Sequence, residues 1–233
     1  MKTVEFEKPA NLAALYLGAL LSARKRPGVV ETLPGVTYVQ SQVVLESAHI
    51  ANYARCVKEI KKYGAVPYAQ VGVRRLMPVQ MMHRESRLSL RDLPTEQIEQ
   101  MIQAVVDCAV RAAKAGFPAV DILGVGGSGH SIFLSQVFND RTDKWGGSPE
   151  NRLRFAVETI RGIKKALGED FPVFYRHHGS EFLKGGYSVE GAVENAKALA
   201  LAGISYFNVT GGGHASSIPQ LTPNVPHDAY SFL

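Results

Sequence analysis

Between Pro94 and Lys114 the apolar residues Ile98, Met101, Ile102, Val105, Ala109 and Ala112 fall three or four apart. That spacing lines one face of an α-helix and predicts a helix over this span. The same period runs from Ser148 to Gly168 through Leu153, Ala156, Ile160, Ile163 and Leu167. Ser148 is placed to cap that helix, Pro149 suits its first position, and Glu150 suits its first turn. Further helices are predicted at Asn11–Lys25, Glu46–Tyr63 and Ser188–Gly203. Short apolar, β-branched runs separate them. Val36–Val44, Ala65–Val71, Ala119–Leu123, Phe171–Arg176 and Ile204–Val209 read as strands. No hairpin signal joins any two of them. Strands alternating with amphipathic helices imply right-handed crossovers and a parallel sheet, closed as a barrel or open.

In either architecture chemistry gathers at the C-terminal strand ends. The informative residues are then Ser41-Gln42, Gln70, Gly124–His130, Arg176-His177-His178 and Thr210–His214, where polar residues and glycines collect. Gly124–Gly129 reads GVGGSG and satisfies the spacing of a dinucleotide fingerprint. That fingerprint needs its last glycine to open a long helix. Here His130–Phe138 allows one short helical stretch before Asn139-Asp140. Glycines permitting tight backbone at a strand end are the simpler reading. The run Asn139–Arg152, NDRTDKWGGSPENR, is long for a connection, and long connections often carry function. Arg141, Asp143, Glu150 and Arg152 can neutralise one another there, and Trp145, the sole tryptophan, gives an apolar anchor.

Composition narrows the classes. The chain has 233 residues, is 45% hydrophobic and 20% charged, and shows no shift marking a domain boundary, so a single domain over 1–233 is expected. The net charge of +5 is dispersed. Arg24-Lys25-Arg26 and Arg74-Arg75 lack the aromatic platforms of a nucleic-acid site. Ala13–Ala23 is too short to span a bilayer, so no membrane role is indicated. Cys56 and Cys108 are expected to be buried, unbridged thiols of a reducing, cytoplasmic compartment.

Ile122–Arg152, ILGVGGSGHSIFLSQVFNDRTDKWGGSPENR, resembles the signature of the old yellow enzyme superfamily of FMN-dependent oxidoreductases. There a strand leads through an N-x-R-T-D-x-[YW]-G-G-S-x-E-N-R run into a helix. The match in Phe133-Leu134-Ser135 and from Asn139 to Arg152 is dense and ungapped. The resemblance continues through Arg154–Arg176 and Ala198–Leu233. The latter stretch is most similar to the 2,4-dienoyl-CoA reductase and enoate reductase branch, and clear similarity covers about Gly64 to Leu233.

The resemblance implies a (β/α)8 TIM barrel with FMN at the C-terminal strand ends. It also implies NAD(P)H as reductant and a small-molecule substrate carrying an activated alkene. By matched position, Gln70 contacts the flavin's pyrimidine edge and Arg176 lies near flavin N1 and O2. Ser41 and Gln42 pass the ring, and His214 stands beside the substrate. The family's substrate-binding histidine pair falls on Leu123 and Gly126, and its tyrosine acid on Ser128. His214, with His130 and His178 as alternatives, is therefore the expected proton donor. Seventh and eighth strands are not recognised in this chain, nor are cysteine ligands for an iron–sulfur cluster. The barrel is then expected to be partial, with a homo-oligomer or a second chain completing it. A second reading keeps the fold without catalysis. A third, a barrel metallohydrolase using His177, His178 and His214, meets a geometric objection. Adjacent strand residues point to opposite sides, so only one of His177 and His178 can face the centre.

Overall fold

The computed structural model of the chain describes residues 47–73, 89–213 and 216. The helix expected at Asn11–Lys25, the strand at Val36–Val44 and the residues Ser41, Gln42 and His214 lie outside these. The element order is α1 (Ser47–Lys61), β1 (Ala69–Val71), α2 (Thr95–Lys114), β2 (Val120–Gly124), α3 (Gly129–Leu134), α4 (Pro149–Leu167), β3 (Val173–Ser180), α5 (Val189–Leu201) and β4 (Tyr206–Gly211). A 3-10 turn at Leu90–Asp92 precedes α2. The four strands form one sheet in sequence order, every neighbour parallel. This is the alternating β/α arrangement that the periodicity predicts.

Strand alternation divides the sheet into two faces. Val71, Val120, Ile122, Val173 and Tyr175 point toward the helices and are buried. The helices meet them with their predicted stripes: Ile98, Met101, Val105, Ala109 and Ala112 of α2, and Ala156, Ile160 and Ile163 of α4. Full burial of each large aliphatic side chain contributes about 1.5–3 kcal/mol. Gly162 lets α4 close on α2, because a β-carbon there would stand 2.7 Å from Val106. Leu167, expected in the stripe, is only partly buried at the helix end.

Two expectations change. Strand β3 runs four residues beyond the predicted Arg176, so His177 and His178 lie inside it. Histidine is a weak strand signal by itself; continued pairing with Val209 and Thr210 of β4 extends the ladder. Cys56 is exposed and only Cys108 is buried. The buried positions of α1 are Tyr53 and Val57, four apart, and Cys56 falls off that line.

The Asn139–Arg152 run is a brace. Trp145 is fully buried, and Nδ2 of Asn139 donates to the carbonyls of Phe133 and Trp145. Arg141 pairs with Asp143 and donates to the carbonyls of Leu90 and Leu93. Arg152 donates to Leu134 and Gly147 carbonyls rather than pairing within the run. Ser148 caps α4 by accepting the Asn151 N–H at 3.2 Å. The run thereby ties α3, α4 and the segment before α2 together behind the sheet.

Candidate functional site

The face of the sheet turned away from the helices carries the polar residues. Register puts Gln70 of β1 opposite Asp121 of β2, and Asp121 opposite Phe174 of β3. Arg176 and His178 follow Phe174 at steps of two, toward the C-terminal ends. An aromatic floor lies on the same face. The Tyr68 and Phe174 rings are 5.3 Å apart, and Phe174 and Tyr206 are 5.7 Å apart.

Nε2 of Gln70 donates to Oδ2 of Asp121 at 3.0 Å. Both side chains are buried, Asp121 almost completely. Burial pushes the Asp121 carboxyl up to about 6, against the opposing pull of the Gln70 bond and the Arg176 charge. Oδ1 of Asp121 and Nε of Arg176 are buried without a hydrogen-bond partner among the described residues. Such groups are costly unless something satisfies them. Asp121 is the residue that sequence reasoning missed. Its only signal was a charged residue inside an otherwise apolar run, VDIL.

The loop after β2 turns on Gly126 and Gly127, both at positive φ, a conformation glycine reaches without strain. Nε2 of His178 accepts the Gly126 N–H at 3.2 Å. His178 therefore joins Gln70 and Arg176 on the inner face. His177 faces the helices, where its Nε2 lies 3.3 Å from the Ala192 carbonyl and its ring stacks on Tyr187. Burial lowers it to about 4. The two rings cannot share a metal ion, which removes the metallohydrolase geometry.

His130 does not reach the site. It sits on α3 in the layer behind the sheet, 4.8 Å from the Phe155 ring, with Nε2 3.3 Å from Thr159 Oγ1. Burial lowers it to about 3, so it is neutral and enclosed and cannot serve as the expected proton donor. Ser128, at the family's tyrosine position, is also committed. Its hydroxyl donates to the Leu123 carbonyl at 2.6 Å and its oxygen caps α3. Helix α3 has six residues, too short to complete a dinucleotide fingerprint.

A parallel β/α sheet with a polar C-terminal rim over an aromatic floor defines the class, an α/β protein whose site lies at the strand ends. Residues 28–210 match the model of the NADH:flavin oxidoreductase / NADH oxidase family, and the chain belongs to it. It is 36% identical over 142 residues to a metal reductase of Desulforamulus reducens, covering 61% of this chain and 21% of that protein. It is 36% identical over 163 residues to a cinnamate reductase of Clostridium sporogenes, covering 63% and 24%. A Bacillus pumilus NADPH dehydrogenase is 33% identical over 173 residues, covering 70% and 51%. The chain thus spans from about a fifth to about half the length of these relatives. Among solved structures, a 2-naphthoyl-CoA reductase bound to 2-naphthoyl-CoA superposes with a TM-score of 0.70 at 25% identity, covering 91% of this chain and 37% of that one. Histamine dehydrogenase from Rhizobium sp. 4-9 gives 0.63 at 26%, covering 72% and 27%. The fold is accordingly that of the TIM-barrel flavoenzymes, with four strands among the described residues.

The family implies FMN, and the residues fit it. Arg176 Nε and Asp121 Oδ1 are buried polar atoms on the inner face that lack partners among the described residues, beside the Gln70 amide. A flavin's pyrimidine edge presents carbonyl acceptors and a ring N–H to such a set. No helix among the described residues is long and apolar enough to cross a membrane.

Proposed function

We propose that this chain forms the FMN-binding barrel of an NAD(P)H-dependent reductase that saturates a C=C bond conjugated to a carbonyl, as in an enone or enoyl thioester. The observation that carries this reading is the inner-face group of Gln70, Asp121 and Arg176, with buried atoms unpartnered among the described residues, in a chain of a flavin oxidoreductase family. Two relatives support the substrate class. One is named for cinnamate, the other for an aromatic acyl thioester.

Bound FMN would supply two-electron hydride chemistry. Arg176 places a cation where reduced flavin carries negative charge. Gln70 fixes the ring's orientation by hydrogen bonding. His178 keeps Nε2 engaged on Gly126 and holds the rim loop. His214, three residues beyond β4, is then the proton donor to the substrate α-carbon. The family resemblance assigns Ser41 and Gln42 to the ring as well. Unbridged Cys56 and Cys108 suit a cytoplasmic setting.

A second reading, flavin binding without alkene reduction, draws support from Ser128. The position of the family's acid is spent on capping α3, and Leu123 replaces a polar neighbour. One experiment separates the readings. The purified chain is loaded with FMN, desalted, and reduced anaerobically with NADH or NADPH. A yellow protein that bleaches, and recovers its colour with 2-cyclohexenone or cinnamoyl-CoA, is the expected result. Bleaching without recovery favours the second reading. A colourless protein that retains no FMN overturns both.

A further inference from the structure

Gln70 carries a donor and an acceptor at the end of one side chain, and its terminal group can be turned either way. Asp121 removes the choice. An ionised carboxylate only accepts, so the Gln70 nitrogen must face it, and the 3.0 Å contact has this polarity. Oε1 of Gln70 is then turned away from Asp121. The Asp121 carboxylate is almost completely buried, and its opposite charge, Arg176, forms no ion pair with it among the described residues. Burying a carboxylate in this way costs stability, and an apolar residue would sit opposite Phe174 more cheaply. The arrangement makes sense if the polarity it imposes is used.

We infer that Asp121 is a positioning residue: it holds Nε2 of Gln70 so that Oε1 is left as an acceptor at the strand ends, where it takes the ring N–H of the flavin's pyrimidine edge. This rests on the flavin reading above. It predicts that the ring is recognised by one fixed polarity rather than by an adaptable amide.

A polarity swap tests it. Gln70→Glu leaves two carboxylates facing each other. Asp121→Asn frees the Gln70 amide to turn. Each single variant of the full chain is expected to bind FMN about tenfold more weakly, measured by quenching of flavin fluorescence. In the double variant the introduced asparagine amide donates to the introduced glutamate carboxylate, which still presents an acceptor to the ring. Affinity is expected to return to within about threefold of wild type, where independent effects would give about a hundredfold loss. A folded double variant, verified by its circular dichroism, that shows the multiplied loss overturns the inference and leaves the flavin reading standing. A wild-type chain that takes up no FMN overturns the flavin reading, and this role for Asp121 with it. Thermal melting of the flavin-free chain supplies a second readout. Single-variant melting shifts, of whichever sign, that simply add in the double variant count against the Gln70–Asp121 pairing whatever the flavin result.

Discussion

Nε2 of His178 accepts the backbone N–H of Gly126 at 3.2 Å and ties the inner face of β3 to the glycine loop after β2. A β-carbon on Gly213 would stand 3.6 Å from the same nitrogen, so the end of β4 closes on this ring too. The histidine joins three adjacent strand ends at the rim.

Replacing His178 with alanine should therefore loosen the rim before it affects the core. The Gly126 amide loses its acceptor, a change of about 1.4 kcal/mol in local opening. Hydrogen exchange across residues 125–128 is expected to quicken about tenfold, with exchange in α4 unchanged. Equal protection of the loop in the variant and the wild type would show that His178 does not hold it.

His130→Phe is expected to leave flavin colour and reduction intact, since the ring lies behind the sheet against Phe155. Thr159 keeps a partner, because its hydroxyl already donates to the Phe155 carbonyl at 2.8 Å. The pH response should change. The folded protein lowers His130 from the ordinary 6.5 to about 3, so the unfolded chain binds the extra proton between those values. The His130 contribution is complete above pH 6.5 and is lost as pH falls toward 3. The variant should unfold at lower pH than wild type, with part of the acid sensitivity retained through His177. Coincident acid-unfolding curves would disprove the assignment.

The layers of this fold are written in apolar periodicity, and the residues behind the sheet follow it closely. Ile98, Met101, Val105, Ile160 and Ile163 are buried as their spacing requires. The family signature from Asn139 to Arg152 identifies the lineage because its residues satisfy backbone groups, as Asn139 does for Phe133 and Trp145. The inner face is less legible. Side chains there answer to a cofactor and to residues on other strands, so no period within one strand marks them. Asp121 reads as an odd charge in VDIL until the Gln70 register supplies its partner. His130 and His178 look equivalent in sequence, yet one is enclosed behind the sheet and the other stands on the rim, because strand parity and the short α3 decide it.

Arg141→Met tests the brace. The side chain is mostly apolar in length and buried, so methionine keeps much of the volume. It removes the donors to the Leu90 and Leu93 carbonyls and strands Asp143 without its cation. Two carbonyls lose their bonds, and a loss of about 2–4 kcal/mol is expected. Urea unfolding measures it. A loss under about 0.5 kcal/mol would mean that water replaces the guanidinium without penalty.

Asp121→Asn should stabilise the flavin-free chain at neutral pH while weakening its grip on flavin. Burial raises the folded carboxyl from 3.8 to about 6, so between those values the folded protein holds a proton that the unfolded chain has released. Stability assigned to this group is present below pH 3.8 and is lost as pH rises through about 6. The Gln70 bond and the Arg176 charge oppose the rise, and the hydroxyls of Tyr68 and Tyr175 stay protonated and uncharged because burial and this carboxylate raise them. Asparagine carries no such penalty. At pH 7 the variant should gain about 2–3 kcal/mol over wild type, the free energy that corresponds to raising a carboxyl from 3.8 to about 6, and the gain should shrink toward zero near pH 4. Urea unfolding at intervals from pH 4 to pH 8 follows it. A constant difference across that range would mean that Asp121 is not the titrating group. A gain in stability coupled to a loss of FMN affinity would place Asp121 among the residues a binding site keeps at the expense of the fold.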